Sequence, residues 1–167
     1  EPGAYAISYD RNDSAPIFTK KEIKIDDLIR FPNSEADKIL KEIAEFWKKG
    51  ESFKKAGYLH RRGYLFFGSS GTGKSYIIHQ IVSDVITSGG AVFYCDNPVF
   101  FESGLDAFRK VEPDRNVICI FEDMDAIIKK YGEDKVLSIL DGENKIDKVL
   151  NLASCFPPET RLLTSDL

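Results

Sequence analysis

The segment Gly68-Ser69-Ser70-Gly71-Thr72-Gly73-Lys74-Ser75 constrains this chain more than any other, because it reads G-x-x-x-x-G-K-[ST] between a predicted strand and a predicted helix. Before it, Tyr64-Leu65-Phe66-Phe67 is a short apolar run of the kind buried in a sheet. After it, Ile77, Ile78, Ile81, Val82, Val85 and Ile86 mark the buried side of a helix, which Gly89-Gly90 ends. Glycines let a loop turn back so that successive backbone N–H groups point inward, and the N-terminus of the following helix adds partial positive charge. Such a loop cradles phosphates. Lys74 adds a full charge and Ser75 a hydroxyl suited to Mg²⁺, so these residues predict binding of a nucleoside triphosphate with its metal.

The rest of the chain fits an α/β domain. With 167 residues, 43% of them hydrophobic and 30% charged, it is long enough for one globular core. A formal net charge of −4 gives no chain-wide attraction to nucleic acid, although a local basic patch is compatible with it. No run approaches the roughly 18 to 20 apolar residues of a membrane span, and nothing at the start resembles a signal peptide, so a cytoplasmic protein is the expectation. Glu1 in place of methionine predicts that residues precede it in the natural protein. Cys95, Cys119 and Cys155 are odd in number and widely spaced, which implies neither a disulfide framework nor a zinc site.

Residues 1–20 read as two short strands around the polar turn Arg11-Asn12-Asp13-Ser14, either an edge hairpin or the remnant of an upstream region. Ser34 caps a predicted helix whose apolar face is Ala36, Ile39, Leu40, Ile43 and Trp47, and Lys48-Lys49-Gly50 ends it. Further strands are predicted at Ala91–Cys95, Val117–Phe121 and Lys148–Ala153. A short helix around Leu105 to Val111 and another at Glu133–Leu140 separate them. Strands alternating with helices predict a parallel sheet covered on both faces.

The strand Val117–Phe121 runs into Glu122-Asp123-Met124-Asp125, which puts carboxylates at the C-terminal end of a buried parallel strand, where ligands of open α/β sheets bind. Nucleotide hydrolysis uses one carboxylate near the Mg²⁺ shell and another to orient or deprotonate water. Glu122 and Asp123 are therefore the candidate catalytic and metal-binding pair, with Ser75 on the metal.

Together, Gly68–Ser75 and Phe121-Glu122-Asp123-Met124-Asp125-Ala126-Ile127-Ile128 resemble the Walker A and Walker B segments of AAA+ ATPases, with similarity over residues 25–154. The order Glu122 then Asp123 reverses the usual one. It resembles the subgroup of the mitochondrial Rieske-protein translocase and its phage relatives, as does Leu59-His60-Arg61-Arg62-Gly63. The resemblance implies a P-loop NTPase three-layer α/β/α fold with a parallel sheet, here lacking the C-terminal helical lid. It also implies ATP and Mg²⁺ as ligands, a homo-oligomeric ring acting on a protein substrate, and no membrane. By position Glu122 would assist Mg²⁺ and Asp123 would polarise water, but the shorter Asp123 leaves that division open and the two are treated as a pair. Asn97–Gly104 lies where such rings carry a substrate-gripping loop, so Phe100 or Phe101 is either the gripping aromatic or core. Asp26–Ile29 lies where the family contacts adenine. His60 and His79 have no pattern pointing to catalysis or metal.

The resemblance stops after Ala153-Ser154. No sensor Asn follows, and Cys155-Phe156-Pro157-Pro158-Glu159-Thr160-Arg161-Leu162-Leu163-Thr164 resembles the opening of an intein. On that resemblance Cys155 is a splicing nucleophile that takes the acyl group of Ser154; the alternative is an unusual loop. The resulting division is residues 1–24 as an N-terminal segment, 25–154 as the large ATPase subdomain and 155–167 as a foreign tail. A chain of this extent is expected to bind nucleotide with little or no turnover. Two rival expectations are a small P-loop kinase and a nucleotide-dependent nucleic-acid loader.

Overall fold

Alternation along the central strands decides the architecture. The computed structural model describes residues 1–10, 15–23, 34–141 and 146–156. Among them, six strands form one sheet: β1 (Gly3–Tyr9), β2 (Pro16–Lys21), β3 (Arg61–Phe67), β4 (Ala91–Tyr94), β5 (Val117–Phe121) and β6 (Val149–Cys155), in the order β2-β1-β4-β5-β6-β3. All neighbouring pairs are parallel except β1 with β2. The helices are α1 (Glu35–Lys48), α2 (Gly50–Lys55), α3 (Lys74–Thr87), α4 (Pro98–Val111), α5 (Met124–Tyr131) and α6 (Glu133–Asp141).

Successive strand residues point to opposite faces, and the central strands are apolar on both. On one face Val92, Tyr94, Ile118, Ile120, Leu150 and Leu152 pack with Leu40, Ile43 and Phe46 of α1 and with Ile78, Ile81 and Val82 of α3. On the other, Ala91, Phe93, Val117, Cys119, Phe121 and Val149 meet Phe101 and Leu105 of α4, Ile127 of α5 and Val136 of α6. The result is an α/β fold with a mostly parallel sheet between two helical layers, as expected of a P-loop NTPase-like three-layer architecture.

Ser34 caps α1 as predicted, its hydroxyl accepting the Asp37 N–H at 3.2 Å. Other features refine the sequence reading or differ from it. Of the two expectations for residues 1–20, the edge hairpin is the one observed: β1 pairs in parallel with β4, so β1–β2 forms one edge of the same sheet; its turn at 11–14 lies outside the described residues. α1 ends at Lys48 as expected, but Gly50 opens a second helix, α2, after Lys49 bends the chain with φ −88° and ψ 6°. The predicted short helix near Leu105 starts at Pro98, since the Asn97 side chain accepts the Val99 N–H at 3.0 Å and proline suits the first helical turn. Finally, β6 extends through Cys155, held by the register Phe66↔Ser154 and Phe67↔Cys155.

Candidate nucleotide-binding site

Leaving β3, the chain enters the glycine loop, and two glycines there hold left-handed backbone: Gly71 at φ 78° and Gly73 at φ 85°. A Cβ at either would meet open space, so conformation and not room demands glycine. Thr72 ties the loop by donating its hydroxyl to the Ser69 carbonyl at 2.9 Å. Gly73 then forms the N-cap of α3 without a side chain, and the first turn of α3 carries no acid. The unpaired amides and the positive end of the helix dipole at this terminus favour an anion. Lys74 is half-buried, and its Nζ donates to the carbonyls of Gly68 (2.5 Å) and Ser69 (2.7 Å).

Strand order brings the acids to this loop. β6 lies between β3 and β5, so the carboxylates reach the loop across one intervening strand. Continuing the alternation beyond Phe121 turns Glu122 toward the face occupied by α3. Its charge reaches Tyr94 on that face: burial first, then Glu122 and Asp96, push the Tyr94 phenol up to about 12. Asp123 leaves the strand with φ 49° and ψ 50°, a left-handed conformation that Asp tolerates better than most residues. Its carbonyl accepts the N–H groups of Ala126 (2.7 Å) and Ile127 (3.2 Å), which starts α5. Its own N–H donates to the Ser154 hydroxyl at 3.3 Å.

Ser70, Gly71, Gly73, Lys74, Ser75, Tyr76, Glu122, Asp123, Ser154 and Phe156 surround a cleft of about 490 Å³ at the C-terminal edge of the sheet. A left-handed glycine loop, a helix N-terminus, an ammonium and an open pair of carboxylates make a donor set that fits a magnesium-bound polyphosphate. The sequence assigns Ser154, Tyr76 and Phe156 no role in nucleotide binding. The signal for Ser154 was available, a polar residue ending an apolar strand, but only the strand order shows that it faces Asp123.

The other candidates divide. Phe101 is 1% exposed and packs on Phe121, whereas Phe100 is 40% exposed and lies against Tyr9 with ring centroids 5.2 Å apart and planes tilted by 30°. Phe101 is thus core, and Phe100 alone of the two is open to solvent. His60 is buried among Phe46, Trp47 and Phe53, and its Nε2 donates to the Phe46 carbonyl at 2.8 Å, a packing role. His79 sits half-buried on α3. Cys155 is a half-buried free thiol at the end of β6, one residue from Ser154. Asp26–Ile29 and residues 157–167 lie outside the described residues. Among the described residues there is no group of three or more His, Cys, Asp or Glu placed to hold a metal, and no helix long and apolar enough to cross a membrane.

Fold and loop together define the class as P-loop NTPase-like. No family model matches the chain. It is 28% identical over 153 residues, 86% of its length, to the ATP-dependent zinc metalloprotease FtsH 1 of Alkaliphilus metalliredigens. It is 26% identical over 124 residues, 70% of its length, to the ATP-dependent zinc metalloprotease FtsH of Leptotrichia buccalis. These weak similarities to FtsH, an AAA+ ATPase, support the AAA+ family at a coarse level. The chain spans only 24% and 16% of the two relatives' lengths, and zinc and proteolysis are said of those proteins.

Proposed function

We propose that the chain is the α/β core of an AAA+ ATPase that binds ATP with Mg²⁺ and, in its assembled form, hydrolyses it to remodel a protein substrate. The observation that carries this reading is the single cleft lined by both the glycine loop and the Glu122-Asp123 pair. In it the loop amides and Lys74 hold the β- and γ-phosphates, Ser75 and Glu122 hold the metal, and Asp123 orients the attacking water. The carboxylates act as a pair whose roles can exchange. The subgroup of the Rieske-protein translocase and a homo-oligomeric ring belong to the same proposal, supported by the Glu122-Asp123 order. AAA+ sites take an arginine from a neighbouring subunit, and loss of such a finger costs on the order of 10³ or more in rate. Binding with little or no turnover is therefore expected of the chain alone.

Titration with a fluorescent ATP analogue, with and without Mg²⁺, tests this. Saturable Mg²⁺-dependent binding that Lys74→Ala abolishes supports the reading; equal binding by wild type and Lys74→Ala refutes it.

For Cys155 we retain a finer proposal, motivated by its half-buried free thiol beside Ser154. Its sulfur attacks the Ser154 carbonyl carbon, a thioester forms as the Ser154–Cys155 peptide bond breaks, and the Cys155 nitrogen leaves as a free amine by taking up the proton the thiol gives up. Mass spectrometry of the product of the complete gene decides it: a continuous chain through 155–167, with no spliced form, sinks the idea.

A further inference from the structure

Lys74 is held in a resting position by three neighbours. Its Nζ donates to two carbonyls of its own loop, Gly68 and Ser69, and lies 4.6 Å from the centroid of the Phe156 ring. That position is set by the sheet. The register Phe67↔Cys155 puts residue 156 beside the start of the glycine loop, and the alternation that aims Ser154 at Asp123 carries Phe156, two residues on, toward the same cleft.

We propose that Phe156 is an affinity-setting latch on Lys74: its ring holds the ammonium against the loop carbonyls, and a nucleotide polyphosphate must draw Lys74 away from all three to bind. The inference rests on the nucleotide-binding reading above and adds a residue to it. Magnitudes decide what such a latch can do. A cation over an aromatic face is held weakly where water still reaches it, while an ammonium–phosphate bond is charge-assisted and stronger. The phosphate therefore wins, and the latch raises the concentration at which it does so without closing the site. The contact is also lost in the bound state, so removing the ring favours binding by about two- to fivefold, the value of a partly exposed cation–π contact.

The test is titration of the 167-residue chain with Mg²⁺ and a fluorescent ATP analogue, comparing wild type with Phe156→Ala, Phe156→Leu and Phe156→Trp, each checked for folding by thermal unfolding. The latch predicts tighter binding by Ala and Leu and no gain for Trp, whose ring holds a cation at least as well. Unchanged or weaker binding by Phe156→Leu, with Lys74→Ala still abolishing binding in the wild-type background, overturns the latch and leaves the nucleotide site intact. Indifference of wild type and all variants to Lys74→Ala overturns the nucleotide reading itself. A measurement without nucleotide keeps the two apart: the ring should shift the Lys74 ε-methylene proton resonances upfield, and Phe156→Leu should remove the shift. No upfield shift in wild type overturns the latch directly.

Discussion

Asp123 carries left-handed backbone, φ 49° and ψ 50°, where β5 ends and α5 begins, and it is one of two non-glycine residues with positive φ among the described residues. The conformation lets one residue end a strand, cap a helix with its carbonyl and leave its carboxylate at the cleft. A β-branched side chain is penalised there, so Asp123→Val should lose about 1–2 kcal/mol while Asp123→Gly loses none, as read by urea denaturation. Ser154→Ala removes the acceptor of the Asp123 N–H and should cost about 1 kcal/mol. The neighbouring phenylalanines give a sharper contrast. Phe101→Ala should cost about 3–5 kcal/mol, because it empties a site in the core, and Phe100→Ala only the tilted ring contact with Tyr9, about 0.5–1.5 kcal/mol.

At the scale of elements, the ends of helices position the site. α1 begins at Ser34, and Ser34→Ala should cost about 1 kcal/mol, or a fall of about 2–4 °C in Tm. α3, which carries Lys74 and Ser75, is closed by Gly89-Gly90 before β4. A Cβ at Gly90 would lie 2.3 Å from Val85 Cγ1 and 3.0 Å from the carbonyl oxygens of Val85 and Asn116. Gly90→Ala should therefore destabilise by about 1–3 kcal/mol through overpacking, measured by chemical denaturation, since neither carbonyl can give way without moving a helix end or the strand lead-in. α4 is fixed from its far end. Arg109 donates to the carbonyls of Arg115 (2.5 Å), Asp147 (2.7 Å) and Lys148 (2.9 Å), joining α4 to the entries of β5 and β6, and burial pulls its pKa down.

For the whole molecule, the buried sheet makes stability sensitive to alkali. Burial pushes the Cys119 thiol up to about 12 and the Cys95 thiol higher still, and Tyr94 is raised to about 12. Each group keeps its proton in the fold at a pH where the unfolded chain has lost it, so the unfolded state binds fewer protons and stability falls as pH rises. The contribution is fully present below pH 9.0, the ordinary thiol value, and is lost as pH climbs through the folded values. The slope is about 1.4 kcal/mol per pH unit for each group titrating. Thermal unfolding from pH 7 to pH 11 should show this decline, and Cys119→Ala should flatten part of it.

Local patterning made much of this legible. β5 was predicted residue for residue because five consecutive apolar residues lie between polar turns, and α3 and the Ser34 cap because their signals are short-range. The glycine loop was likewise visible, since its backbone conformation depends on residues within the loop itself. The early start of α4 was missed although Asn97-Pro98 encodes it, and α5 was missed because the acidic turn before it hides a helix start at a non-glycine left-handed residue. What only tertiary structure decided is the order of strands. Nothing near β6 in the chain states that it inserts between β5 and β3, yet that insertion sets Ser154 against Asp123 and Phe156 over Lys74. Sheet order comes from how two apolar faces are buried by helices distant in sequence, and contacts that depend on it have no local signature.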